Sequence, residues 1–248
     1  MLISHKHRFI FTKTFKTGGT SVEKYFQQFC LPENLTSTTF NDYYEGPEGI
    51  VGKRGRNASK YKWYAHMPAQ MIKRQIGEEI WHNYFKFSIV RNPFTKLISA
   101  YYFFKNLEKK QGISKKLKNR LKWYFPLRPE FYPPYVNDDP ELDISNFKKW
   151  VKKGVHWDDK PAYAIDGQIC VDYLMKFENL KDEIKHVCSN LGLPFHENQI
   201  PEAKSAVKPH WAEPTLFFDE ELIAIVGKKY EFELENFGYM CPSKRMSK

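Results

Sequence analysis

The chain has 248 residues, of which 42% are hydrophobic and 17% aromatic, enough for one sizeable core and outside the disordered classes. Its net charge of +10 points to anionic partners, yet no RNA- or DNA-binding motif accompanies the charge, so nucleic acid is not an expected partner. No stretch is apolar for long enough to span a bilayer, and a first strand beginning by Arg8 leaves no room for a signal peptide, so a cytoplasmic protein is expected.

The first pattern along the chain is an apolar run from Phe9 to Phe11, which reads as a buried strand. Val22, Tyr25, Phe26 and Phe29 then recur at helical spacing. Between them lies Lys16-Thr17-Gly18-Gly19-Thr20-Ser21. The glycine pair lets backbone N–H groups approach an anion, and the start of the following helix adds partial positive charge. Lys16 supplies a full charge, and Thr17, Thr20 and Ser21 supply hydroxyls. Lys16 precedes the glycines, whereas a Walker A loop places its lysine after them, which argues against an ordinary ATPase or kinase.

The second pattern is Trp63-Tyr64-Ala65-His66-Met67-Pro68-Ala69. Pro68 suits the first position of a helix with Met71, Ile72, Ile76 and Ile80 as its buried stripe. His66 would then stand just before a helix N-terminus, whose dipole disfavours imidazolium and leaves a neutral ring able to accept a proton. Glu23, His156 and the pair Asp158-Asp159 are rivals for the role of base, each more simply read as solvated surface charge.

Phe85 through Val90 reads as a second buried strand, followed by Arg91 and a helix opened by Pro93 with Phe94, Leu97, Ile98 and Tyr101 inward. Arg91 thus sits at a strand's C-terminal edge, where ligands of open α/β sheets gather, and its guanidinium suits phosphate. Ser99 lies roughly two turns further along that helix. From Lys105 to Arg128 basic residues face one acid, Glu108, and a proline-aromatic stretch follows. This basic insertion, about residues 105 to 140, has three readings: a cationic wall for an anionic acceptor, a contact with a membrane surface of anionic lipid, or a solvated face. A helix is expected over Ile144 to Lys153, capped by Ser145 with Phe147, Trp150 and Val151 inward. Glu178-Asn179 reads as a cap before the stripe Leu180, Ile184, Val187 and Leu191, closed by Gly192. The four cysteines, Cys30, Cys170, Cys188 and Cys241, show no metal-ligand spacing, so reduced thiols are expected.

The loop Lys16 to Ser21 and the segment Arg91-Asn92-Pro93-Phe94-Thr95-Lys96-Leu97-Ile98-Ser99 resemble the two cofactor motifs of sulfotransferases that use 3′-phosphoadenosine 5′-phosphosulfate (PAPS), in particular the carbohydrate sulfotransferase-like family. The resemblance continues through Val171 to Leu180 and Asn236 to Tyr239. Members commonly carry proline before the loop lysine, where this chain has Phe15. The resemblance implies that Lys16, Thr17, Gly18, Gly19, Thr20 and Ser21 hold the 5′-phosphosulfate and that Arg91 and Ser99 hold the 3′-phosphate. A late basic loop in such enzymes often covers the nucleotide, which makes Lys208, with Ser205, a further cofactor contact. It also supports His66 as base, with Lys16 stabilising the leaving group, adenosine 3′,5′-bisphosphate as product, and a carbohydrate or glycolipid acceptor. A divalent ion would need carboxylates beside the loop, and none is evident there, so no metal is expected.

The architecture expected is one domain, a three-layer P-loop-like α/β fold with a mainly parallel central sheet flanked by helices. Two alternatives stand beside the sulfotransferase: another nucleotide-dependent transferase such as a kinase, and a non-catalytic protein that binds a nucleotide and an anionic glycan.

Overall fold

The computed structural model describes residues 1–35, 42–55, 57–109, 133, 139–201 and 208–242. They fall into two compact units, Met1–Val90 with Asp158–Ala203, and Arg91–Trp157 with Lys204–Lys248. In chain order the first unit holds β1 (Leu2–Ser4), β2 (Phe9–Phe11), α1 (Gly19–Phe26), β3 (Tyr44–Glu45), β4 (Gly49–Val51), α2 (Ala69–Ile76), α3 (Glu78–Asn83) and β5 (Phe85–Val90). The second holds α4 (Pro93–Lys109) and α5 (Pro140–Lys152). The chain returns to the first with α6 (Lys160–Tyr163), β6 (Ala164–Ile165), β7 (Gln168–Ile169), β8 (Tyr173–Lys176) and α7 (Leu180–Asn190), and ends in the second with α8 (Pro214–Phe217), α9 (Glu220–Lys229) and α10 (Glu231–Phe237).

The central sheet runs in the order β3-β4-β1-β2-β5-β8. Only its β2-β5-β8 half is parallel, with Phe11 opposite Phe87 and Val90 opposite Lys176. The other pairs are antiparallel, placing Leu2 between Phe11 and Val51, and Tyr44 beside Val51. The expectation of a mainly parallel sheet is therefore corrected to a mixed one. The reason lies in the connections: His5 to Arg8 is long enough for a hairpin but not for the crossover that parallel strands require.

Strand residues alternate between two faces. Leu2, Phe9, Phe11, Val51, Phe87, Ile89 and Met175 are buried with Val22, Tyr25 and Phe26 of α1 and with Ile184, Val187 and Cys188 of α7. On the opposite face Ile3, Ile10 and Ile50 meet Ala69 and Ile72 of α2, Trp81 of α3, Trp63 and Met67. Helices on both faces make this unit three-layered. The stripe expected on α2 is partly corrected. Gly77, at φ +90°, ends the helix after two turns and puts Ile80 in α3, while Met71 is exposed, its sulfur 3.5 Å from the Tyr64 hydroxyl.

In the second unit α4 and α5 are joined by aromatic packing: Tyr101 lies edge-on to Phe147 and Trp150, and Phe104 stacks on Trp157. α5 begins earlier than expected. Asp139, not Ser145, is the cap, its carboxylate accepting from the Glu141 and Leu142 N–H groups, and Pro140 fills the first helical position. Lys105, read as the first residue of a basic surface segment, is instead buried, its ammonium 2.6 and 2.7 Å from the Asp143 carboxylate oxygens. Tyr101 and Tyr102 hydroxyls donate to the same carboxylate, so four polar groups satisfy one another inside an aromatic core. Residues 110 to 128 of that segment lie outside the described residues.

Candidate active site

The loop between β2 and α1 is fixed at every residue for which the sequence supplies a handle. Thr12 N–H donates to the Phe87 carbonyl at 3.0 Å and the Ser88 hydroxyl donates to the Thr12 carbonyl at 3.0 Å, extending the strand pairing beyond Phe11. Thr14 donates its hydroxyl proton to the Ile89 carbonyl, so in the 2.7 Å contact between the two threonine hydroxyls Thr17 is the donor. The Thr17 side chain is buried in that pairing, and its hydroxyl proton serves the loop rather than the rim. Phe15 N–H donates to the Asp159 carboxylate at 2.9 Å.

The backbone then takes two left-handed residues, Lys16 at φ +58° and Gly18 at φ +77°. A Cβ on Gly18 would lie 2.7 Å from a ring carbon of Phe177, so both the conformation and the space demand glycine. Gly18 caps α1, its carbonyl accepting from Ser21 N–H at 2.8 Å. Lys16 and Thr20 are half-buried at the rim, where the first-turn N–H groups of α1 cannot be satisfied from within the helix. Gly18→Ala should lower stability by about 1 to 3 kcal/mol through strain at that φ and through the clash. A urea melt showing an unchanged midpoint would contradict this account of the turn.

Beneath the loop lies a charge cluster that sequence reading missed. Glu23, one turn after Gly19, is fully buried, not a solvated surface acid, and takes Lys13 Nζ at 2.6 Å, the Met1 amine at 2.9 Å and Arg54 Nε at 2.8 Å. Burial alone would raise its pKa; Lys13, the amine and Arg54 overcome this and hold the carboxyl far below the usual range. Lys13 reaches Glu23 by running beneath Gly19, where a Cβ would lie 3.0 Å from its Cγ. Lys13 and Arg54, with the Met1 amine, converge on one carboxylate, so the glycine loop stands over a basic cluster. The available signal was the i, i+4 placement of Glu23 after a residue with no side chain.

His66 stands beside this loop. Its Nδ1 is 3.1 Å from the Lys13 carbonyl, and its ring lies edge-on to Phe15 at 6.4 Å between centroids. A carbonyl only accepts, so Nδ1 carries the proton and Nε2 keeps its lone pair. The residue is open to solvent on one side. Crowding by protein on the other, then Lys13 and the Met1 amine, hold the imidazole pKa well below its ordinary value, with Glu23 opposing. The position before a helix is as expected, since Pro68 caps α2. Crowding by protein and the neighbouring cations act in the same direction as the helix end expected beside His66.

Of the rival bases, Asp159 holds the Phe15 N–H beside the loop and Asp158 accepts from Lys160 N–H at 3.1 Å, while His156, in the second unit, is exposed with Nδ1 2.8 Å from the Gly154 carbonyl.

In the second unit Arg91 is half-buried, its Nε donating to Thr95 Oγ1 at 3.0 Å. Asn92 caps α4 through the Phe94 N–H at 2.9 Å, with Pro93 opening the helix as expected. Ser99 is half-buried two turns along α4. Lys208 is tied into its own loop, with Nζ 2.6 Å from the Ala212 carbonyl and 3.5 Å from Glu213. Ser205 lies outside the described residues. Cys30, Cys170, Cys188 and Cys241 are free thiols, as expected. Among the described residues no cluster of three or more histidine, cysteine or acidic side chains could hold a metal, and no helix is long and apolar enough to cross a membrane.

A glycine turn leaving a parallel strand, with helix N–H groups and a lysine on one rim, is an arrangement whose chemistry suits an anion. The profile described as "Sulfotransferase family" matches residues 1–240, and the chain belongs to that family. Carbohydrate sulfotransferase 10 of Xenopus laevis is 31% identical over 149 residues, which are 60% of this chain and 32% of that protein. An uncharacterized protein of Archaeoglobus fulgidus is 27% identical over 128 residues, 52% of this chain and 84% of that protein. No solved structure matches.

Proposed function

We propose that this chain transfers a sulfuryl group from PAPS to a hydroxyl of a carbohydrate acceptor. The observation that carries the reading is the loop from Lys16 to Ser21, a cradle closed to any Cβ at Gly18 and flanked by an imidazole whose Nδ1 is held by the Lys13 carbonyl. The β2-β5-β8 half of the sheet is read as the P-loop-like part of the fold. Family membership supports the reaction class, and the name of the Xenopus relative supports a sugar as acceptor.

PAPS, when bound, supplies an activated sulfuryl group. The loop N–H groups, the Lys16 ammonium and the Thr20 and Ser21 hydroxyls would hold its 5′ end. Arg91 and Ser99 are proposed for the 3′-phosphate, and Lys208 for a further contact. Nε2 of His66 takes the acceptor hydroxyl's proton as that oxygen bonds to sulfur. The bond from sulfur to the 5′-phosphate breaks, and Lys16 with the loop N–H groups stabilises the charge left on the departing oxygen. Adenosine 3′,5′-bisphosphate leaves as product.

Calorimetry with adenosine 3′,5′-bisphosphate, ADP and ATP tests the donor. The bisphosphate should bind most tightly, and Arg91→Ala should weaken it about 10- to 100-fold, the loss of a charge-assisted contact. Preference for ATP, or no binding of any of the three, would overturn the proposal.

A further inference from the structure

The sheet register brings more than the anion loop to one edge. Because Leu2 lies opposite both Phe11 and Val51, and Tyr44 opposite Val51, the start of β1, the end of β2, the end of β4 and the start of β3 all meet there. The parallel half of that edge carries the glycine loop. The antiparallel half carries Tyr43 before β3, Lys53 after β4, and the segment leading to His66, which is fastened to Lys53 by Lys53 N–H to the Trp63 carbonyl at 2.9 Å and Ala65 N–H to the Lys53 carbonyl at 2.8 Å.

On this half the rings of Tyr43 and Tyr61 lie 5.2 Å apart at 45°, and Lys53 Nζ sits 5.1 Å from the Tyr61 centroid. Tyr61 remains 41% exposed although the core is close by. Each surrounding polar group is held in place. The Tyr43 hydroxyl donates to Glu45, whose carboxylate also takes Lys62 Nζ at 2.7 Å and the Trp63 indole N–H at 3.0 Å, while Lys53 pairs with Asp42. Lys53 and Lys62 are each paired with a carboxylate, Asp42 and Glu45, so neither is held open for a phosphate or an anionic lipid. An exposed Tyr61 face, backed by the half-buried Tyr43 ring and ringed by both donors and acceptors, suits a polyol with apolar C–H faces and outward hydroxyls.

We propose that Tyr43 and Tyr61, with Lys53 and Glu45, form the acceptor-side subsite, a stacking platform for an uncharged pyranose ring of an oligosaccharide whose next unit presents its hydroxyl to His66. This rests on the sulfotransferase reading and adds where, and through what chemistry, the acceptor is held. Tyr61 and His66 are five residues apart on one fastened segment, at most about 17 Å of chain, the span of a short oligosaccharide.

The test is retention of the full-length protein, in the presence of adenosine 3′,5′-bisphosphate, on an array of immobilised neutral and acidic oligosaccharides. Wild type should be retained on glycans bearing neutral pyranose rings, Tyr61→Ala and Tyr43→Ala at least tenfold less, and Tyr61→Phe within threefold of wild type because the ring persists. All three variants should bind the bisphosphate as wild type does, which also reports that they fold. Undiminished retention of the alanine variants, retention on acidic glycans alone, or no retention of a wild type that binds the bisphosphate would each overturn the platform and leave the donor reading standing. Failure of wild type to bind the bisphosphate would instead bring down the sulfotransferase reading on which the platform rests.

Discussion

His66→Ala is expected to lower kcat about 10²- to 10⁴-fold, the range contributed by a positioned general base, while the affinity for adenosine 3′,5′-bisphosphate stays within about twofold. The separation follows from position. Nδ1 is tied to the Lys13 carbonyl, and in the proposed reaction Nε2 serves the acceptor hydroxyl rather than the nucleotide. The pH profile supplies a second readout. The active form of the base is neutral, and its pKa is lowered chiefly by burial and then by Lys13. Activity should therefore persist as pH falls through about 6.5, where an ordinary histidine would gain its proton, and the acid limb should lie below that. Steady-state rates from pH 5 to 8 with radiolabelled PAPS measure both effects. A variant turning over at the wild-type rate, or an acid limb centred near 6.5, would remove His66 from the role.

The elements legible in the sequence were those whose signals are local. Val22, Tyr25 and Phe26 define α1, Pro93 opens α4, and Gly192, at φ +63°, follows the end of the α7 stripe, because periodicity and end chemistry operate within one or two turns. The antiparallel half of the sheet was not legible. β2 is as short as β1 and β4 but is an unbroken apolar run leading into the glycine loop, whereas Leu2 finds its partner at Val51 through contacts that no window along the chain can show. The start of α5 was misplaced because Ser145 and Asp139 are both acceptable caps, and only the bonds to Glu141 and Leu142 decide between them.

The same distinction divides the site. Gly18 marked the turn because a left-handed residue there demands glycine, and Pro68 marked the start of α2, which places His66 just before it. The groups that hold these residues in place were hidden. Thr14, Asp159, Lys13 and Glu23 act through partners between 3 and 144 positions away. Charged residues are read by default as solvated, which is right for most of them and wrong where Lys13, Arg54 and the Met1 amine converge on one carboxylate.

Glu23→Gln should be among the most destabilising single substitutions in the chain. It keeps the shape of the side chain and removes the charge that Lys13 and Arg54 share inside the first unit. Breaking a buried ion pair from one side costs about 3 to 5 kcal/mol, because the remaining charges stay buried without their counter-ion. That is a large part of the roughly 5 to 15 kcal/mol that holds a typical domain together. The pH dependence distinguishes this cause from a packing defect. The folded-state pKa of Glu23 is depressed, so the unfolded chain takes up the proton first as pH falls. The carboxylate's contribution is complete above its unfolded pKa of about 4.3 and is lost as pH drops from there towards the folded value. The gap between wild type and Glu23→Gln should therefore be widest near pH 7 and narrow below about pH 4, as read from urea unfolding at pH 7, 5, 4 and 3. A gap under about 1 kcal/mol at neutral pH, or one that stays constant into acid, would show that Glu23 does not serve as the counter-ion of the loop's foundation.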